Sequence, residues 1–342
     1  MPSVIKRFRQ KLASMPAPML GVVFMVASTI AFAGMHGGVR YLALEQHLHP
    51  FEIAFFRNFF GLLALAPWFI RRGVRPLRTQ RFRLHVWRAL INVVAMLLFF
   101  MALGLTPIVQ VQALGFTAPL FASLLAIVFL GERVFLWRWG ALVVGFVGAL
   151  IIIRPGVGAI DVGSLLVLGS AATWACAIII IKLLSRTDSS VTITAYMVLL
   201  MIPMSLLPAV FVWQWPNGEQ LLWLGFVGIS GTLAQMGLAQ AFRMAEVTVV
   251  LPLDFMKLLW GAMIGYLAFG EVPGATIWIG GFTIFAAATY IAYRGSRDKA
   301  VGQAQAVPEM EAAPAQIAPE PTSTGAEQES LSTDVPTAPG KD

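Results

Sequence analysis

Ten apolar stretches recur along the chain, and each is long enough to cross a bilayer as a helix. Apolar residues make up 58% of the sequence and charged residues 12%, about half the charged share of a soluble domain. A soluble chain of this length could not bury so much apolar surface. The sequence therefore predicts an all-α membrane protein. The ten predicted spans are residues 18–39, 52–70, 87–105, 108–130, 138–154, 162–182, 192–213, 220–242, 247–269 and 276–293.

The positive charge lies almost entirely on one side of the predicted membrane. With the N-terminus in the cytoplasm, twenty of the 24 Lys and Arg residues fall in cytoplasmic connectors or termini. Only Arg40 and Arg154 fall outside, while Arg57 and Lys257 lie within spans. This bias and the even number of spans predict both termini in the cytoplasm, and we expect a multi-pass protein of a bacterial-type inner membrane. The net charge of +7 thus reports topology, and we expect no nucleic-acid partner.

The two ends of the chain differ from the spans in composition. Residues 1–17 form a basic arm that we expect in the cytoplasm. Residues 300–342 are rich in Pro, Ala, Glu, Ser and Thr and lack aromatic residues. Such a segment cannot bury enough apolar surface to offset the entropy of ordering, so we expect a disordered cytoplasmic tail. A tail that binds a partner is the alternative interpretation.

The chain contains an internal repeat. The segment that begins at Gly21 aligns without gaps on the segment that begins at Gly163, and this alignment pairs Arg40 with Lys182. Further along each half, two sixteen-residue stretches align in the same way and both end in Gly-Glu, at Glu132 and at Glu271. The sequence is therefore built from two related halves.

The halves, residues 18–155 and 160–295, contain five predicted spans each. Because five is an odd number, the second half begins on the opposite side of the membrane and is inverted relative to the first. Inverted repeats are typical of secondary transporters, whose binding sites lie near the membrane midplane where the halves meet. The repeat thus predicts both the architecture and the location of a site.

The paired endings "FLGE" and "FGE" and the stretch "PLDFMKLLWGAMIGYLAFGE" resemble the EamA family of the drug/metabolite transporter superfamily. The resemblance covers about residues 18–295, and it implies an inverted five-plus-five helix bundle around a central cavity. Members of that family move riboflavin, S-adenosylmethionine, amino acids, drugs or other small metabolites, some inward and some outward. The resemblance therefore implies transport and leaves the substrate and its direction open.

Two charged residues lie inside the ninth predicted span. Asp254 and Lys257 are three residues apart, so they share a helix face and can pair. A charge at the bilayer centre costs about 2.5–3.5 kcal/mol on insertion scales, and the aligned residues of the first half are Gly115 and Ala118. We therefore expect the pair to bind a polar substrate, with Asp254 also a candidate for proton coupling. A structural ion pair between helices is the alternative.

The other candidate substrate-binding residues are aromatic or polar side chains within predicted spans. The aromatic rings could stack on a flat substrate ring or simply pack in the core. The histidine, arginine and amides could bind substrate, although packing, snorkelling to the interface and interhelical hydrogen bonds are the respective alternatives. These candidates are Phe32, His36, Arg57, Asn92, Gln112, Trp174, Gln235 and Trp260.

The pattern as a whole predicts a secondary transporter that moves a small polar metabolite, riboflavin-like or S-adenosylmethionine-like, by alternating access. An amino-acid or drug exporter is the alternative within the superfamily, and a lipid-modifying membrane enzyme or a non-transporting sensor is the alternative of another class. No Walker A motif, metal-ligand spacing or catalytic constellation stands out, so we expect no catalytic residue, cofactor or metal. The expected partners are the substrate and the lipid bilayer, and the chain could form a homodimer.

Overall fold

The computed structural model describes residues 16–72, 79–130, 136–154, 161–184, 187–188, 190–245 and 250–311, which are helical with short connections and contain no strand. Contacts divide the chain into two units, Met1–Ser296 and Arg297–Asp342. The helical segments are α1 (Ala17–Leu44), α2 (Pro50–Arg72), α3 (Phe82–Leu105), α4 (Ile108–Gly115), α5 (Ala118–Leu130), α6 (Leu136–Ile153), α7 (Val162–Leu184), α8 (Ser190–Val210), α9 (Gly218–Met244), the 3₁₀ helix η1 (Leu251–Phe255), α10 (Met256–Phe269) and α11 (Ala275–Glu311).

These helices lie where the hydropathy predicts the ten spans, with α4 and α5 in the fourth span and η1 and α10 in the ninth. Seven stretches of the described residues are long and apolar enough to cross a membrane, one of them formed by α4 and the start of α5 together, and Ala195–Val210 of α8 is a shorter apolar helix. The predicted fold class, an all-α membrane protein, is therefore confirmed. Bilayers favour this architecture because a helix satisfies its own backbone hydrogen bonds.

The last helix is longer than its hydropathy predicts. α11 continues to Glu311, so the first residues of the segment that we expected to be disordered, 300–311, are helical. Ala, Gln and Glu are frequent there and are good helix formers, which explains the extension. The rest of the predicted tail, residues 312–342, and residues 1–15 of the basic arm lie outside the described residues.

The two repeats pack on each other reciprocally. The first helix of the first repeat, α1, packs most extensively on α9, the third helix of the second, and α7 packs in the same way on α3. Glycines permit both contacts, because a Cβ at Gly21 would lie 2.6 Å from the Cβ of Ala245 and a Cβ at Gly163 would lie 1.9 Å from Thr106 Oγ1. The contacts are equivalent when the repeats are exchanged, as a pseudo-two-fold relation requires.

The fourth and ninth spans are interrupted at equivalent positions. The fourth breaks between α4 and α5 at Phe116 and Thr117, and the ninth changes from η1 to α10 at Phe255. Prolines, which lack a backbone N–H, lie close to both breaks, Pro119 in the first turn of α5 and Pro252 in η1. The aligned rings of Phe116 and Phe255 stack with their centroids 5.9 Å apart, so the two breaks meet between the repeats.

The Gly-Glu ending of the ninth span ties three helices together. α10 ends at Phe269 and is followed by Gly270, whose φ of 64° is a left-handed conformation that glycine adopts without strain. The following residue, Glu271, places its carboxylate Oε1 2.5 Å from Arg40 Nε of α1. Arg40 Nη1 also donates to the carbonyl oxygens of Leu103 and Thr106, at the end of α3, with both distances 2.6 Å. The ion pair thus joins α10, α1 and α3.

Candidate functional site

A cavity of about 400 Å³ lies between the two repeats. Its lining comes from α1 to α5 of the first repeat and from α7, α8, α9, η1 and α10 of the second. The volume falls within the range of sites for small molecules, about 300–1,000 Å³. The cavity therefore occupies the place where an inverted-repeat transporter holds its substrate.

Eight of the ten predicted binding residues line this cavity. The other two, Gln112 and Trp260, lie behind its wall. Gln112 Nε2 lies 3.4 Å from Nδ1 of His36, and Trp260 donates its indole N–H to Thr29 Oγ1 at 3.2 Å. The eight lining residues are Phe32, His36, Arg57, Asn92, Trp174, Gln235, Asp254 and Lys257.

Asp254 and Lys257 form an ion pair in the cavity wall, at the junction of η1 and α10. The side chains are 19% and 18% exposed respectively, so the pair is largely desolvated yet open to the cavity. Lys257 Nζ also lies 4.6 Å from the centroid of the Phe32 ring, a cation–π geometry. Pairing offsets part of the cost of placing both charges within a membrane span.

Arg57 is a second cationic group in the lining. Its Nη1 donates to Asn58 Oδ1 at 3.0 Å, and α9 approaches closely because Gly231 has no side chain there. Among the residues that the structure describes, no carboxylate pairs with Arg57. The side chain therefore contributes an unneutralised positive charge to the cavity wall, which differs from the snorkelling alternative.

Two further polar side chains of the lining are deeply buried. His36 is 9% exposed, and its ring packs on Phe99 with the centroids 5.0 Å apart. Asn92 is 1% exposed, and neither its amide nitrogen nor its amide oxygen has a hydrogen-bond partner within the described part of the chain. Buried amides are almost always paired, so Asn92 is an exception that requires an explanation.

Comparison with known proteins yields one family and several relatives. The EamA-like transporter family matches residues 19–154 and 161–293, once in each repeat. The chain belongs to the EamA-like transporter family.

The relatives of this EamA-like transporter are themselves transporters. It is 34% identical to a riboflavin transporter of Vibrio cholerae, over 80% of this chain and 93% of that protein. It is 31% identical to an S-adenosylmethionine uptake transporter of Rickettsia felis, over 73% of this chain and 85% of that protein. A crystal structure with 18% identity superposes with a TM-score of 0.52, over 80% of this chain and 94% of that one, which supports the fold alone.

The cavity of this EamA-like transporter also contains residues that the sequence did not single out. They are mainly apolar: four methionines and three phenylalanines, together with Ser170. Helical spacing could have indicated some of them, because Ser170 lies one turn from Trp174 on α7 and Met96 one turn from Asn92 on α3. Thioethers and rings of this kind suit a flat aromatic substrate. The seven are Met35, Met96, Met197, Met201, Phe99, Phe100 and Phe116.

Asp161 is the centre of a polar cluster away from the cavity, at the start of α7. Its carboxylate accepts hydrogen bonds from the Thr106 hydroxyl at 2.7 Å and from the N–H and hydroxyl of Ser164 at 3.0 and 2.7 Å. Burial opposes ionisation of this carboxyl, but these hydrogen bonds and one from the N–H of Gly163 keep its pKa below the ordinary value. Asp161 thus caps α7 and connects it to α3.

A second polar cluster connects α3 to the segment before α8. Asp188 Oδ2 lies 2.7 Å from His85 Nε2 and accepts a hydrogen bond from the Thr79 hydroxyl at 2.6 Å. Burial opposes ionisation here too, but the bonds from Thr79 and His85 lower the pKa of Asp188. Neither cluster suits a metal, since the described residues contain no group of three or more His, Cys, Asp and Glu side chains that could hold one.

Proposed function

We propose that this transporter carries a small, flat, polar metabolite of the riboflavin or S-adenosylmethionine kind across the bacterial inner membrane by alternating access. The observation that carries the proposal is the cavity between the repeats, with a charged pair that only one repeat supplies. A site at a repeat interface can be opened to either side when one repeat moves against the other. Residues 18–155 and 160–295 are the two moving halves.

The relatives support this choice of substrate. Riboflavin and S-adenosylmethionine, the compounds that name them, both combine a flat heterocycle with hydrogen-bonding groups. The cavity offers matching surfaces, because aromatic and thioether side chains lie beside an ion pair, an arginine and an amide. Phe32 and Trp174 are equivalent in the repeat alignment and both line the cavity, so we propose that they stack on the heterocycle.

The ion pair has two roles in the proposed cycle. Lys257 and Asp254 bind polar groups of the substrate, and Asp254 is the candidate for proton coupling. Protonation of Asp254 would weaken its attraction to Lys257 and release the lysine toward the substrate. A polar group of the substrate would then take the place of the Asp254 carboxylate beside the lysine, which lies over the Phe32 ring.

We also propose an orientation in the membrane and an oligomeric state. The bias of Lys and Arg supports an orientation with both termini in the cytoplasm, and we propose a homodimer as the assembly in the lipid bilayer. Transport requires neither a cofactor nor the residues after 300. The alternatives of another class, catalysis on a lipid and sensing without transport, predict no solute flux.

Solute flux separates these functions. The purified protein, reconstituted in vesicles, should accumulate radiolabelled riboflavin or S-adenosylmethionine, and an Asp254→Asn variant should insert normally but accumulate much less. Truncation after residue 300 should leave the flux unchanged. Intact vesicles that accumulate neither compound, with lipid modified instead, would support the enzyme.

Topology provides an independent test. Cys176, the one cysteine, is exposed, so it is first replaced by serine. Single cysteines are then placed in the connectors after residues 131 and 270 and treated with a membrane-impermeant reagent on intact cells. Inversion requires that only the second site reacts, and labelling of both from the same side would contradict the two-half mechanism.

A further inference from the structure

We infer that Asn92 reads the hydrogen-bonding edge of the substrate, and that the charge of the cavity selects an uncharged or anionic imide, such as a flavin, over a cationic sulfonium nucleoside. This inference rests on the proposed function and makes its substrate more specific. Two independent observations from the described part of the chain carry it: a buried amide without a hydrogen-bond partner and a guanidinium that no carboxylate neutralises, both in the cavity lining.

Asn92 combines burial and a place in the cavity lining with the lack of a hydrogen-bond partner within the residues that the structure describes. It lies on α3 in the cavity lining, is 1% exposed, and has no hydrogen-bond partner for either amide atom among the described side chains and backbone groups. An unpaired buried amide destabilises a fold. The residue is therefore placed where its missing partners can come from a bound molecule.

Asn58 on α2 shows what a structural asparagine looks like in the same protein. It is 5% exposed, its Nδ2 donates to Ser205 Oγ at 3.2 Å, and its Oδ1 accepts from Arg57 at 3.0 Å. Both of its amide atoms are thus used within the protein. The difference between the two asparagines indicates that burial alone does not explain Asn92.

A primary amide presents a donor and an acceptor side by side. Such an edge matches an N–H next to a C=O, which is the arrangement in the imide of a flavin ring. It also matches the amino group and ring nitrogen of adenine, the pair that asparagine binds in nucleic-acid recognition. Asn92 can therefore read either heterocycle, and a second feature must distinguish them.

The charge of the lining is that second feature. The described titratable side chains that line the cavity are His36, Arg57, Asp254 and Lys257. Asp254 and Lys257 pair with each other, which leaves the positive charge of Arg57. A sulfonium nucleoside with an ammonium and a carboxylate has a net positive charge and is repelled in this low-dielectric site, whereas riboflavin is uncharged and is not.

The test measures binding of defined compounds to the purified full-length protein. Riboflavin is followed by quenching of its fluorescence and compared with N3-methylriboflavin, which lacks the imide N–H, and with S-adenosylmethionine as a competitor. We expect N3-methylation to weaken binding about 10–100-fold, because a buried amide is then left unpaired. S-adenosylmethionine should compete more weakly than riboflavin.

Two asparagine variants separate an effect on substrate binding from an effect on protein stability. Asn92→Leu should weaken riboflavin binding, abolish the difference between riboflavin and its N3-methyl derivative, and leave the unfolding temperature unchanged or higher. Asn58→Leu, the matched control, should lower the unfolding temperature and retain the preference for the free imide. Arg57→Gln should reduce the preference for riboflavin over S-adenosylmethionine.

The outcomes distinguish this inference from the proposed function. Equal binding of riboflavin and N3-methylriboflavin by the unchanged protein, or a preference that survives Asn92→Leu, would overturn the role of Asn92 while transport still stands. Stronger binding of S-adenosylmethionine than of riboflavin would overturn the selection by charge. Failure of both compounds to bind or move would remove the proposed function itself.

Discussion

The fourth and ninth spans occupy equivalent positions in the two repeats, and they differ in charge. Both break at the same aligned position and both line the cavity, but Gly115 and Ala118 stand in the fourth span where Asp254 and Lys257 stand in the ninth. Since the fourth span keeps its place without any charge there, the helix packing does not require the ion pair. The difference supports the proposal that this pair binds the substrate.

A second ion pair follows the opposite pattern. Arg40 and Glu271 align with Lys182 and Glu132, so both repeats carry a basic and an acidic residue at these positions. The pair that the structure describes joins α1, α3 and α10. We infer that charges present in both repeats stabilise the helix packing. The contrast supports the proposal that charges which one repeat alone places in the cavity bind the substrate.

The largest effect that we expect is on stability, from Glu271→Gln. The Arg40 and Glu271 side chains are only 9% and 10% exposed, so the change leaves a nearly buried guanidinium without its counter-charge. Removing one partner of a buried pair costs about 3–5 kcal/mol. Thermal unfolding in detergent should show a large fall, and the double change Arg40→Met with Glu271→Leu should recover much of it. An unaltered unfolding temperature would contradict the inference that the Arg40–Glu271 pair stabilises the helix packing.

The next largest effect that we expect is on transport. It comes from a variant whose ninth span carries the residues of the fourth span at two positions. The double variant Asp254→Gly with Lys257→Ala carries the residues that the first repeat has at these positions. It should reach the membrane in normal amounts, because the equivalent span tolerates these residues, while uptake falls about 10–100-fold with the loss of charge-assisted hydrogen bonds. Lowered abundance with normal uptake per molecule would show that the pair is structural after all.

The membrane spans and most of the candidate binding residues that line the cavity could be predicted from the sequence. The same physical reasons explain which lining residues were missed. The bilayer makes each span an apolar helix, and an embedded polar group is costly unless it is used, so Asn92 and Asp254 stand out. Met197 and Met201 do not, because a thioether facing a cavity has the same hydropathy as one facing lipid. Gln112 and Trp260 are polar or aromatic but lie behind the wall, since residue type does not determine which face of a helix meets the cavity.

The aligned glycines test the reciprocity of the helix packing. Gly21→Ala and Gly163→Ala should each destabilise by about 1–3 kcal/mol, because a Cβ would overlap a neighbouring helix in both places. Gly140→Ala is the control, since a Cβ at that position has no atom within 4 Å and alanine favours the helix. Unfolding measurements that find one repeat tolerant and the other intolerant would show that the equivalence is only approximate.

The smallest effect that we expect comes from Asp161, a charge that one repeat carries outside the cavity. It should affect stability and leave transport unchanged. Asp161 caps α7, whereas α1 begins after Pro16 without a side-chain cap. Loss of such a cap in Asp161→Ala should cost about 0.5–2 kcal/mol and leave uptake at neutral pH unchanged.

The pH dependence of the Asp161→Ala effect identifies the carboxylate as its origin. Because the pKa of Asp161 is lowered in the folded state, its stabilisation is fully present above the ordinary aspartate value of about 3.9. It is lost as the pH falls through the lower folded pKa. The difference in unfolding temperature between the unchanged protein and the variant should therefore be constant near neutral pH and shrink below about pH 4. A loss of uptake without a change in stability would contradict the view that a charge outside the cavity only stabilises the helix packing.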